Sequence, residues 1–230
     1  FLNCSSLSDF GTTDLKNCSN FINTWQNCSA LTSFPAGAKL GTEATGSVPF
    51  SNAWRGSGLT SFSTPLPTAT YAAYAWLNCN SLTSFSSELP LATNVQQAWQ
   101  GCNSLTSFDT ELPLVTNAGF AWWNCTSLTD FSYDVFSNWN PSSITSGVFN
   151  TTWDNCTALT AQSVENILTS IDASGKYATS TGASGGSALA DAGIDIDYNV
   201  ATGSLSAATN AAVDSLKAKG WSIIVNNVTL

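Results

Sequence analysis

The chain has 230 residues, of which 6 are Lys+Arg, 15 are Asp+Glu, and none is His or Met. Its net charge of -9 argues against a phosphate-backbone partner, and the missing His removes Ser-His-Asp triads and His-ligated metal sites. At 43% hydrophobic it is not a disordered acidic tail, yet only 9% of residues are charged, so Ser, Thr and Asn must carry its solubility.

The chain opens FLNCSSLSDF, with no basic stretch leading into an apolar one and no initial Met, so a processed chain or a fragment is expected. Phe1, Cys4, Leu7 and Phe10 then begin a pattern that recurs. Trp25-Gln-Asn-Cys28-Ser-Ala-Leu31-Thr-Ser-Phe34 is repeated from Trp76 (Cys79, Leu82, Phe85), from Trp99 (Cys102, Leu105, Phe108) and from Trp122 (Cys125, Leu128, Phe131). A shortened copy runs Trp54, Ser57, Leu59, Phe62, and a degenerate one has Trp153, Cys156 and Leu159. The two cleanest spacings, Trp76 to Trp99 and Trp99 to Trp122, are both 23 residues.

Each unit has a physical reading. Val95, Ala98 and Trp99 fall at i, i+3 and i+4, which predicts one face of a short helical turn. The middle position is always small: Thr24, Ala53, Ala75, Ala98, Ala121, Thr152. Leu82-Thr-Ser-Phe85 reads as a short strand. Glu88-Leu-Pro-Leu91 and Glu111-Leu-Pro-Leu114 read as bends, because Pro is excluded from a central strand. No such unit buries its apolar face alone, so the units must stack. The expected fold is a repeat solenoid over residues 1–160, about seven coils, with a C-terminal α/β cap over 161–230.

The W-x-N-C-x-S-L-T-S-F core resembles the BspA-type leucine-rich repeat, whose core reads roughly M-F-x-G-C-x-S-L-T-S-L. The Trp-bearing form is similar to solenoids of phage structural and tail-fibre proteins and of bacterial surface proteins. The resemblance covers about residues 1 to 160, and the inserts 35–48 and 132–147 depart from it. It implies a right-handed leucine-rich-repeat solenoid acting as a binding scaffold on a virion or cell surface, and it names no ligand.

Beyond Thr160, Val164, Ile167, Leu168 and Ile171 predict an amphipathic helix starting near Ser163. A Gly/Ser/Ala-rich connection follows. Ile194, Ile196, Tyr198 and Val200 alternate with polar residues as a half-exposed strand. Ser206 can cap a second helix that ends at Lys217, Lys219 and Gly220, and 221–225 is a closing strand. The first repeat has no comparable cover, so further coils, a domain or another chain are expected against the N-terminal end.

Four constellations could carry function. Six of the seven Cys share one repeat position. Disulfides between neighbours are conceivable, but a ladder of buried thiols is the expectation. Asn3, Asn17, Asn27, Asn124, Asn150, Asn155 and Asn227 form N-x-S/T sequons. Most fall where a bend needs Asn, and Gly56 and Gly101 replace it there. The repeat Trp residues belong to the core. Trp123, Tyr133, Trp139, Tyr71 and Tyr74 fall outside the inward position and are the candidate ligand-binding aromatics, whether they contact ligand or pack. The acid pairs Asp195/Asp197 and Asp130/Asp134 are expected to be solvated. No catalytic residue, metal ligand or cofactor is assigned, and nucleic acid and a membrane span are not expected. The reading is a non-catalytic structural or adhesion module that binds a host surface glycan or protein, or neighbouring chains. The rival readings are a glycan-degrading enzyme using an Asp pair, with Asp154 a further candidate, and a purely architectural capsid or tail subunit.

Overall fold

The computed structural model describes residues 1–230 except positions 10, 12, 13, 180, 181, 183, 188, 190 and 191, so Phe10 lies outside the described residues. The repeat begins with backbone hydrogen bonding rather than with a helix. In the Trp25 repeat, Thr24 N–H donates to the Phe21 carbonyl and Cys28 N–H to the Trp25 carbonyl, both at 3.3 Å. Asn23 and Asn27, the third residues of these turns, both have φ of 59°. These are consecutive turns whose third residue is left-handed, as in type II. The alternate N–H groups point out of the repeat: Phe21, Asn23, Trp25 and Asn27 donate to the carbonyls of Pro49, Ser51, Ala53 and Arg55 at 2.7–3.0 Å. The pattern recurs from residues 72, 74, 76 and 78 to 94, 96, 98 and 100, and from 95, 97, 99 and 101 to 117, 119, 121 and 123. Every bond in this ladder runs from one repeat to the next along the chain.

The chain does not form the expected leucine-rich-repeat solenoid with a strand and a helical turn in each coil. Helix and strand each account for only 14% of the chain. Among the described residues the first helix begins at Asp134, so no repeat before it contains one. The strands pair in separate small sheets instead of one continuous sheet. β1 (Asp14–Leu15) pairs with β2 (Lys39–Leu40), and β3 (Val48–Pro49) with β5 (Ala69–Tyr71). β4 (Ser61–Phe62) pairs with β6 (Ser84–Phe85), and β7 (Ser107–Phe108) with β8 (Asp130–Phe131). All four pairings are parallel. The i, i+3, i+4 spacing that suggested helix is produced by consecutive turns, which also bring every third or fourth side chain to one side.

Side chains fill the space between repeats. The rings of Trp25, Trp54, Trp76, Trp99, Trp122 and Trp153 stack in one column, with centroids 5.2–5.7 Å apart and planes within 9° of parallel. Phe62, Phe85, Phe108 and Phe131 form a second column at 5.7 Å, edge-on to the indoles. The small middle residues Ala53, Ala75, Ala98 and Ala121 are fully buried beside the indoles. Among the described residues no acceptor reaches the buried indole N–H of Trp54, Trp76, Trp99, Trp122 or Trp153.

Five of the six column thiols, Cys28, Cys79, Cys102, Cys125 and Cys156, are free and buried as expected, but the first, Cys4, is free and exposed, as is Cys18 outside the column. The Cys79, Cys102, Cys125 and Cys156 thiols donate to the Trp carbonyl of the preceding repeat at 3.0–3.3 Å. Ser57 continues the column, 3.3 Å from the Cys79 sulfur. Here the repeat is one residue short, and a Cβ on Gly58 would lie 2.1 Å from the Ser29 carbonyl oxygen.

The second insert contains α1 (Asp134–Ser137), which buries Val135 and Phe136. α2 (Ala161–Ala173) starts two residues before the expected Ser163, capped by the Thr160 side chain. It buries the predicted Val164, Ile167, Leu168 and Ile171. β9 (Gly193–Ile196) stops earlier than expected: Tyr198 lies beyond it, and Val200 is exposed in a 3-10 turn (Val200–Thr202). α3 (Ala207–Ala218) has the predicted Ser206 cap. β10 (Ser222–Val225) pairs parallel to β9 and antiparallel to β11 (Val228–Thr229). β9 also meets the last Trp repeat. Trp153 N–H donates to the Asp195 carbonyl and Asp197 N–H to the Trp153 carbonyl, both at 3.3 Å.

Candidate binding face

The hydrogen-bond ladder sets which residues line up across repeats. One outward column consists of Asn23, Asn52, Tyr74, Gln97, Phe120 and Thr151, all with φ between 53° and 62°. A parallel column, three residues further on, holds Gln26, Arg55, Leu77, Gln100, Trp123 and Asp154. Tyr74, Gln97, Gln100, Phe120 and Trp123 are half-buried, so each shows part of its side chain to solvent. Two contacts fix this strip. The Gln97 amide donates to the Gln100 carbonyl oxygen, and Trp123 Nε1–H donates to Asp154 Oδ2 at 3.3 Å.

Of the five aromatic candidates, the structure brings Trp123 and Tyr74 onto this strip, two repeats apart. Tyr71 is 47% exposed at the end of β5, and Tyr133 is 40% exposed just before α1. Trp139 is not an exposed platform: it is 1% accessible, and its indole N–H donates to the Val115 carbonyl at 2.8 Å. It packs the insert onto the array against Phe136 and Phe149. Sequence reasoning missed Phe120, Gln97 and Gln100. Gln97 and Phe120 occupy the repeat position held by Asn23 and Asn52, and Gln100 the one held by Gln26 and Arg55, so the repeat register marks where they lie.

The Thr-bearing surface beside β4, β6, β7 and β8 is also ordered. Thr83, Thr106 and Thr129 are exposed, and each hydroxyl donates to the carbonyl of the Thr one repeat earlier at 2.9–3.4 Å. A groove of about 420 Å³ lies between the two Glu-Leu-Pro bends, rimmed by Glu88, Asp109 and Glu111.

Of the two acid pairs, Asp195/Asp197 differs from expectation and Asp130/Asp134 does not. Asp197 is only 9% exposed, and its carboxylate accepts the Asn155 N–H at 2.9 Å. Burial, ahead of the neighbouring Asp154, holds its carboxyl above the ordinary range despite that hydrogen bond. Asp195 is raised too, first by burial and then by Asp154 and Asp197. Asp130 and Asp134 are exposed around the end of β8. Burial pushes the Cys79 thiol up to about 11 and those of Cys102, Cys125 and Cys156 well above their usual value. Among the described residues no three of His, Cys, Asp and Glu are grouped to hold a metal ion, and no helix is long and apolar enough to cross a membrane.

No protein-family model, curated protein or solved structure matches this chain.

Proposed function

We propose that the chain is a non-catalytic adhesion or structural module of a virion or cell surface. Its partner is a host glycan or protein, or a neighbouring chain of the same assembly. The supporting observation is order in the outward side chains before any partner arrives. The Thr83, Thr106 and Thr129 hydroxyls are held by carbonyls of the preceding repeat, and Gln97 and Trp123 by Gln100 and Asp154. Immobilising a rotamer-rich side chain on binding costs about 0.5–1.5 kcal/mol, and a face already fixed avoids much of that cost. The low charge leaves hydrogen bonding and apolar contact as the available recognition forces.

Adhesion of the labelled chain to a panel of bacterial and eukaryotic cells, with and without enzymatic removal of surface glycans, tests this reading. Saturable adhesion is expected. Its absence on every cell type, with a monodisperse monomer by light scattering, would refute it. Self-association without adhesion would favour the architectural variant.

A further inference from the structure

Tyr74, Gln97 and Phe120 stand in a backbone conformation that L residues adopt at a cost, with φ of 62°, 54° and 58°. A positive φ is uncommon for any residue but Gly, less so for Asn, and a genuine outlier for a bulky one. The chain uses the inexpensive residue at the equivalent positions Asn23 and Asn52, so the turn itself does not require a ring or a long amide. Nor does the core: these three side chains are half-buried on the outer face, while the adjacent inward positions Ala75, Ala98 and Ala121 are fully buried. Residues that strain the backbone without filling the interior point to a demand from outside the fold.

The chemistry of the strip suggests what makes that demand. Tyr74 offers one ring, and Phe120 with Trp123 offers more two repeats further on, ~10 Å away at about 4.8 Å per stacked strand. The Gln97 and Gln100 amides lie between them, already joined to each other. Trp123 is anchored through its N–H to Asp154. Aromatic platforms alternating with paired donors and acceptors match alternate rings of an extended sugar chain, whose apolar faces stack and whose hydroxyls need both donor and acceptor. None of these five residues is charged. We infer that the strip Tyr74, Gln97, Gln100, Phe120 and Trp123 binds a neutral, extended oligosaccharide running along the direction of stacking. This rests on the adhesion reading and names its ligand class and its face.

The test compares the full chain with the triple variant Tyr74→Asn, Gln97→Asn, Phe120→Asn, which installs the residue the chain itself uses at Asn23 and Asn52. Calorimetric titration with cellohexaose, chitohexaose and polygalacturonate measures binding, and thermal unfolding measures stability. Binding of at least one neutral hexasaccharide is expected, weakened at least tenfold in the triple variant and in Trp123→Ala, with Val228→Ala, exposed on β11, unaffected. The triple variant should unfold at the same temperature or higher. No binding of either hexasaccharide, binding of polygalacturonate alone, undiminished affinity in the triple variant, or a lowered unfolding temperature would each overturn the inference. Cell adhesion separates it from the broader reading. A triple variant that adheres as well as the parent removes the strip and leaves adhesion standing, whereas a parent that adheres to nothing removes adhesion.

Discussion

Trp99 offers a sharp test of what the aromatic column contributes. Its ring lies between Trp76 at 5.5 Å and Trp122 at 5.2 Å, with Phe85 at 5.0 Å and Phe108 at 4.7 Å edge-on. It is completely buried, and its N–H has no acceptor among the described residues. Trp99→Ala removes the ring from a close-packed layer and should cost about 3–5 kcal/mol. Trp99→Phe gives up roughly 40 Å² of burial, ~1 kcal/mol, and leaves a small cavity worth about as much again. It also removes a buried donor that lacks a partner, which offsets about 1–3 kcal/mol. The two effects nearly cancel, so Trp99→Phe should lie within about 1 kcal/mol of the parent. Urea unfolding followed by far-ultraviolet circular dichroism measures both variants, with the slope checked for constancy. A Trp99→Phe variant as damaged as Trp99→Ala would refute the reasoning, because it would mean that the indole N–H is satisfied or that the full ring is indispensable.

Glycine substitutions test the close approaches. Gly58→Ala should cost more than 3 kcal/mol or abolish soluble expression, because its Cβ meets a backbone oxygen at 2.1 Å that cannot swing away. Gly101→Ala, at φ 72° and 2.5 Å from the Asn78 Oδ1, should cost about 1–3 kcal/mol, since that side chain can rotate. In native protein, a thiol reagent should modify Cys4 and Cys18 within minutes and reach the five buried thiols only on unfolding; early reaction at Cys102 or Cys125 would contradict the buried column. Asp195 has a raised carboxyl in the folded state, so the folded chain binds its proton more tightly than the unfolded one. Its contribution to stability is therefore fully present below the unfolded value and lost as pH rises through the folded one. Asp195→Asn should stabilise the protein at pH 7 relative to parent and reduce the fall in stability above the ordinary carboxylate range, as read by thermal unfolding across pH; an unchanged pH profile would count against it.

The sequence reveals what recurs more clearly than the backbone that carries it. Trp25 to Trp153, the thiols from Cys28 to Cys156 and the small residues at Ala53 to Ala121 were each placed correctly, because burial in a stack demands the same volume at the same position. Gly56 and Gly101 standing in for Asn gave away the left-handed position before the thiol column. The helical turn was misread because spacing reports which side a residue faces, and consecutive turns and a helix can share that spacing. At the other left-handed position, Gln97 and Phe120 carry no conformational signature of their own and stayed hidden, while Tyr74 was named for its ring and not for its backbone. Trp139 was ambiguous until its N–H was found on the Val115 carbonyl. Asp197 was read as solvated because the alternation of β9 gives no hint that its carboxylate meets the N–H of Asn155, 42 residues earlier.

Along the turns the ladder between repeats is directional, with donors facing one end and acceptors the other, and beside the strands the Thr83, Thr106 and Thr129 N–H groups run the opposite way. A duplicated 23-residue unit placed within it would find a carbonyl row on one side and an N–H row on the other, and the pairing of its neighbours would be unchanged. A reversed unit would set donors against donors. Length is therefore a quantity that recombination can change in whole steps at little structural cost, and each added layer extends the outer face by one more set of side chains.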